Sequence, residues 1–170
     1  MSAIESDFAL RAAQVSDAAA LAKVHVKAWQ ETYRGQIADD ILDSPDFEER
    51  RALRWVQTLN GGKSDVVVAE LPDGSLIGFA SAGPSRDTDL ERARELYSLY
   101  LLRDLHGTGA GQALFDAVMP VQQAFLWVAA INPRAQAFYR RNGFEPDGTI
   151  KYDGIDEIRM VRVETTAVDG

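Results

Sequence analysis

Three glycines fall within five positions in His106-Gly107-Thr108-Gly109-Ala110-Gly111. An apolar run at residues 96–102 precedes them, and Ala113, Leu114, Ala117, Val118 and Val121 follow at helical spacing. The run has the length and composition of a strand buried on both faces, so the pattern predicts strand, glycine turn and helix. That arrangement has a chemistry. The first amides of a helix have no internal partner and point outward at the positive end of its dipole. Glycines remove the side chains that would hold a diphosphate away from those amides. The alternative is a tight strand-to-helix turn that binds nothing.

Two common phosphate fingerprints fail on particular residues. A P-loop needs Lys-Ser/Thr after its last glycine, and Gln112-Ala113 stands there. A dinucleotide loop needs a glycine at position 112 and an acid near the end of the next strand, residues 125–131, which has none. Gly61-Gly62-Lys63-Ser64 is no P-loop either: Gln57 occupies its first glycine position, and it precedes a strand rather than following one.

A longer match remains. The run from Leu99 to Gly111 resembles the acyl-CoA motif of the GNAT superfamily of N-acyltransferases, a strand and linker followed by Arg/Gln-x-x-Gly-x-Gly/Ala opening a helix. Gly109 and Gly111 fall on the small positions; His106 replaces the usual Arg or Gln, and Arg103 stands where proline is frequent. Further on, Asn132-Pro133-Arg134-Ala135-Gln136-Ala137-Phe138-Tyr139 and then Gly143-Phe144 resemble the family's Asn-x-x-Ala-x-x-Phe-Tyr-x-x-x-Gly-Phe block. The segment Ala28 to Gly35 resembles a signature in a branch that includes polyamine acetylators.

The resemblance implies an acetyl-CoA-dependent N-acetyltransferase acting on a primary amine of a small molecule or peptide N-terminus. Direct attack passes through a tetrahedral intermediate and needs no metal. Cofactor contacts are implied for Leu99, Leu101, Leu102, His106, Gly107, Thr108, Gly109, Ala110, Gly111, Gln112, Asn132, Ala135, Phe138, Tyr139 and Arg141. At Leu99, Leu101 and Leu102 these are main-chain groups, and an amide aimed at a developing oxyanion contributes roughly 3 kcal/mol. Tyr139 matches the tyrosine that protonates the departing thiolate; a phenol, with a pKa of about 10, keeps its proton at neutral pH. Asn132, Ala135 and Tyr139 share one helical face. The base is Glu95, with Glu31 the competitor, and either could be an ordinary surface charge. Tyr97 shares the face of Glu95 by strand parity. Trp29, Glu31 and Tyr33 are implied at the acceptor wall, although Trp29 and Tyr33 are also spaced to pack in a core. His25 lies within an apolar helical pattern and reads as structural. The competing class is a non-catalytic acyl-CoA sensor on the same fold.

The elements that must position these residues follow from the rest of the chain. A short strand at residues 8–12 precedes a helix opened by Ser16-Asp17 and closed by Gly35. Ser44-Pro45-Asp46 caps a second helix, ended by Asn60-Gly61-Gly62. Strands at 65–70 and 75–82 flank a Pro72-Asp73-Gly74 turn. Residues 83–94 read as a surface loop without chemistry. Strands at 144–152 and 157–163 close the chain, and 164–170 is a tail. The resulting α/β order predicts a mixed, mostly antiparallel GNAT-like sheet of about six or seven strands with helices on both faces.

The 170 residues suit a single domain, 1–170. A net charge of −8 without a basic face argues against nucleic acid. Zero cysteines exclude disulfides and a thiol nucleophile. No stretch approaches the length of a membrane span, and residues 1–7 lack the features of a signal peptide, so a cytoplasmic protein is expected. Relatives are often homodimers, so the resemblance allows one here; the sequence marks no interface.

Overall fold

The computed structural model describes residues 7–120 and 123–162. Val121, Val163, the tail at 164–170 and residues 1–6, all named in the expectations above, lie outside the described residues. The chain forms two compact units, residues 1–82 with 98–118, and residues 83–97 with 119–170.

In the first unit β1 (Ala9–Ala12), β2 (Asp65–Glu70) and β3 (Leu76–Pro84) pair antiparallel in that order. The C-terminal half of β4 (Arg94–Leu101) lies next to β3. Long helices α1 (Ala18–Tyr33) and α3 (Phe47–Gly61) contribute Leu21, Ala22 and Trp55 to a core shared with Val68 and Phe79. Their apolar spacing lays one stripe of each helix against the sheet, and α3 stops where Gly62 turns left-handed at φ +62°. Helix α4 (Ala110–Val118) buries Leu114, Phe115 and Val118. At Gly78 an added Cβ would meet the Tyr100 carbonyl at 2.7 Å and the side chains of Leu101 and Leu114 at 3.0 and 3.2 Å. Only glycine lets strand and helix meet that closely.

In the second unit β4 pairs parallel with β5 (Ala124–Ala129), β5 antiparallel with β7 (Asp156–Arg162), and β7 antiparallel with β6 (Glu145–Tyr152). Helix α5 (Pro133–Arg141) links β5 to β6. The seven-stranded order is β1-β2-β3-β4-β5-β7-β6, the mixed, mostly antiparallel sheet expected. No described helix is long and apolar enough to cross a membrane.

Several boundaries depart from the sequence reading. Val15–Asp17 is a 3₁₀ turn, held by the Asp17 carboxylate accepting from the Gln14 amide at 2.7 Å, and α1 begins only at Ala18. Asp39–Leu42 forms a short helix, α2, that polar spacing concealed. Helix α3 starts at Phe47 rather than behind Ser44: the Ser44 hydroxyl donates to the Asp46 carboxylate and accepts from no helix amide among the described residues. Strand β4 is half-buried from Tyr97 onward rather than buried on both faces.

Candidate active site

Strand β4 runs into a 3₁₀ turn, Arg103–Leu105, and the chain then passes through His106 to Gly109 before α4 begins. Gly107 and Gly109 adopt φ +82° and +87°, where a side chain is strained. A Cβ at either would meet no protein atom within 4 Å. Among the described residues, their backbone N–H groups donate to nothing. Thr108 supports the turn internally: its hydroxyl donates to the Leu105 carbonyl at 2.6 Å and accepts from the Ala110 amide at 3.4 Å. Alternating left-handed glycines followed by a helix start make a concave set of donors for an anion, and no side chain fills it. These residues fit a diphosphate such as that of CoA.

His106 has a local task. Its Nε2 lies 3.0 Å from the Leu101 carbonyl, which can only accept, so Nε2 carries the proton. Nδ1 is buried without a partner among the described residues. The Leu102 amide donates to the Ile77 carbonyl at 3.0 Å. Two of the main-chain groups expected to serve a cofactor, the Leu101 carbonyl and the Leu102 amide, are therefore engaged in the fold. Leu99 differs: β5 keeps register with β4 only from Arg94 to Leu96, so Leu99 lies past the last parallel pair.

Asn132 caps α5, its Oδ1 accepting from the Ala135 amide at 3.1 Å, with Pro133 in the first turn. The expected cofactor side chain thus has its oxygen committed to the helix end. One helix face carries Asn132, Ala135 and Tyr139 as the spacing requires. Tyr139 is buried, edge-on to Phe138 and Phe144 at 5.5 and 6.1 Å. The Arg141 guanidinium lies 6.0 Å over Phe138.

Glu95 is 1% exposed, so it is no solvated surface charge. Arg86 holds it three ways: the backbone N–H donates to Oε1 at 2.9 Å, Nη2 to Oε2 at 2.6 Å, and Nε to both oxygens. The same guanidinium stacks 4.2 Å over Tyr97, whose hydroxyl donates to the Pro84 carbonyl. The shared face of Glu95 and Tyr97 is thus real, and Arg86 is what joins them. Burial pushes the Tyr97 phenol up, against the pull of Arg86.

The loop at 83–94, expected to be inert, is heavily tied through its charged side chains. Arg159 on β7 is buried and binds Asp89 with both terminal nitrogens, Asp87 at 3.1 Å and Asp147 at 2.6 Å. Trp127 donates its indole N–H to Asp87 at 3.0 Å. The missed signal was the Arg86-Asp87-Thr88-Asp89 alternation, which reads as a solvated run unless a distant arginine is known to meet it.

In the first unit Trp29 stacks on Phe47 at 5.2 Å and meets Tyr33 edge-on at 5.6 Å. Tyr33 is buried, whereas Trp29 is half-exposed. Glu31 accepts from the Arg103 amide at 3.4 Å, and its own carbonyl accepts from the Arg103 guanidinium. The helix expected at the acceptor wall is therefore clamped to the segment that leads into the glycine turn.

Comparisons with known proteins place the chain in a family. Residues 62–146, half of the chain, match the family model described as Acetyltransferase (GNAT) domain. YuaI of Bacillus subtilis, described as an uncharacterized N-acetyltransferase, is 37% identical over 130 residues, 73% of each chain. The PaiA N-acetyltransferase of Thermoplasma acidophilum, solved with coenzyme A, superposes with a TM-score of 0.70 at 22% identity, over 92% of this chain and 99% of its own. A phosphinothricin acetyltransferase of Sinorhizobium meliloti, solved with acetyl-CoA, gives 0.66 at 26% identity, over 95% and 92%. The chain belongs to the GNAT family of acetyltransferases, acyltransferases that draw on acetyl-CoA and deliver to amine acceptors.

Proposed function

We propose that the protein transfers the acetyl group of acetyl-CoA to a primary amine, on a small molecule or a peptide N-terminus, by direct attack. The observation that carries this reading is the turn at Gly107 and Gly109, whose open left-handed backbone suits a diphosphate. His106, Thr108, Ala110, Gly111 and Gln112 frame the same turn. The β4 main chain at Leu99 takes the pantetheine arm, with Leu101 and Leu102 fixed beside it by the fold. Asn132, Ala135, Phe138 and Arg141 add contacts from α5. Trp29, Glu31, Tyr33 and Tyr97 serve the acceptor.

The new bond joins the acceptor nitrogen to the acetyl carbon, and the bond that breaks is carbon to sulfur. The nitrogen must first lose a proton, since an alkylammonium has a pKa of about 10. Glu95 takes that proton. Arg86 makes four contacts to it, two on each oxygen, which fix its orientation. Tyr139 gives its phenolic proton to the thiolate.

The test is thiol release from acetyl-CoA against polyamines, amino acids, aminoglycosides and short peptides. Tyr139→Phe is expected to lower kcat by about 10²- to 10⁴-fold, the range of general-acid catalysis, with acetyl-CoA affinity retained. Calorimetry showing no binding of acetyl-CoA or CoA at millimolar concentration would sink the reading. Full turnover by the variant would remove Tyr139 from it.

A further inference from the structure

Arg51, on α3, is a half-buried cation with no carboxylate beside it. Among the described residues its guanidinium makes neither an ion pair nor a hydrogen bond. The contrast with other arginines is direct: Arg11, Arg34, Arg50, Arg86 and Arg159 each hold an Asp or Glu oxygen within 3.1 Å. Acids are not scarce, with 26 against 18 Lys and Arg. Yet the charges that act on Arg51 include Arg54 and Arg50, both of its own sign. Burial first, then these two charges, holds its pKa below the ordinary arginine value. A partly desolvated charge among like charges is unfavourable until an anion arrives.

The surroundings also orient it. Its guanidinium lies 5.5 Å over Phe47, and Phe47 stacks on Trp29 at 5.2 Å. Its field is felt at His25 and Tyr100. An arginine lying over an aromatic ring keeps its coplanar N–H donors for a planar oxyanion, which it can hold bidentately. Trp29 is the aromatic assigned above to the acceptor wall, so Arg51 stands one ring behind it.

We propose that Arg51 seats a carboxylate carried by the acceptor, so that the preferred acceptors are amines bearing an acid group, as free amino acids do. The proposal rests on the acetyltransferase reading and on Trp29 as part of the acceptor wall. An alternative source of the same charge is a phosphate of CoA, and the experiment separates the two.

Initial rates of thiol release are measured for a set of free amino acids, each beside its carboxamide, which keeps the amine and loses the anion. In the wild type, kcat/KM for the best acid exceeds that of its amide by about tenfold or more, the scale of a charge-assisted contact. Arg51→Met abolishes the difference by raising KM for the acid, with kcat, the amide's constants and the Kd for CoA unchanged. Arg51→Lys recovers part of it. Equal rates for acid and amide in the wild type overturn the proposal. So does a variant that slows both alike, or one whose only loss is CoA affinity. If no amine is acetylated, the acetyltransferase reading has failed separately, and binding decides for Arg51. Tryptophan fluorescence then follows N-acetyl amino acids against N-acetyl amino amides: preference for the acid that vanishes in Arg51→Met upholds the anion seat, and no preference ends it.

Discussion

Arg159 and Arg51 are both withdrawn from full solvent, and the fold treats them in opposite ways. Arg159 is 6% exposed, carries three aspartates on its donors and lies with its guanidinium 5.6 Å over Trp127. Asp89 heads the influences that raise its pKa, followed by Asp147 and Asp87 after the opposing pull of burial. Among the described residues Arg51 has an aromatic ring and no acid. A cation whose partners are all internal is part of the architecture, and its removal should register in stability. One left without partners while acids abound should register in what the protein binds. The two arginines thus give a sorting rule: charge satisfied internally serves the fold, and charge left unsatisfied serves binding.

The largest effect is expected at the satisfied site. Arg159→Met would strand Asp87 and Asp147, whose side chains are only 20% and 19% exposed, while Asp89 at 62% stays hydrated. Breaking a buried charge cluster by removing one partner costs about 3 kcal/mol or more. For a chain of this size that lowers Tm by roughly 6–12 °C, read by calorimetry. An unchanged Tm would mean that the aspartates are already solvated and that the sorting rule has no architectural arm.

How much of this could be read from the sequence depended on how local the cause was. The glycine turn, the Asn132 cap and the α1, α3 and α5 helices were legible because spacing within a dozen residues determines them. Strands β2, β6 and β7 fell within a residue or two of their turns. What escaped was non-local charge. Glu95 was placed at the right end of the right strand, but nothing in its neighbours reveals that Arg86, nine residues back, would bury it in an ion pair. Asp87 and Asp89 meet an arginine 72 and 70 residues further along the chain. The engagement of Leu101 by His106 was equally hidden, since a side chain returning five residues to a carbonyl leaves no periodic trace.

A middle-sized effect separates Arg51 from its buried neighbour His25. Burial first, and then the Arg51 charge, pushes His25 down to about 3, against an ordinary 6.5. The native state therefore stays unprotonated between those values while the unfolded chain takes up a proton, so stability falls as pH drops through that window. From pH 7 to pH 5 the loss is about 2 kcal/mol, from a slope of about 1.4 kcal/mol for each pH unit well below 6.5. Urea titrations of wild type and His25→Gln at both pH values check it, and the variant should lack this component. In Arg51→Met the loss over this window should stay close to that of wild type, because burial, the larger cause, still keeps His25 neutral in the native state down to pH 5. A clearly smaller loss would mean that Arg51, and not burial, is what keeps His25 neutral.

The smallest expected change is the most discriminating. Arg51→Met should leave the urea midpoint at pH 7 within about 0.5 kcal/mol of wild type, or raise it slightly. The substitution strands no carboxylate among the described residues, since none of them is paired with Arg51. The methionine keeps an unbranched stem against Phe47, so most of the packing survives while the cation–π contact, worth about 0.5–1 kcal/mol at a partly exposed site, is lost. Against that loss stands relief from the partial desolvation of the charge and from the repulsion of Arg50 and Arg54. Two opposing contributions of similar size leave a net near zero. A fall of 2 kcal/mol or more would show that Arg51 is held by the fold as Arg159 is. Its missing partner would then be no sign of an anion-binding role.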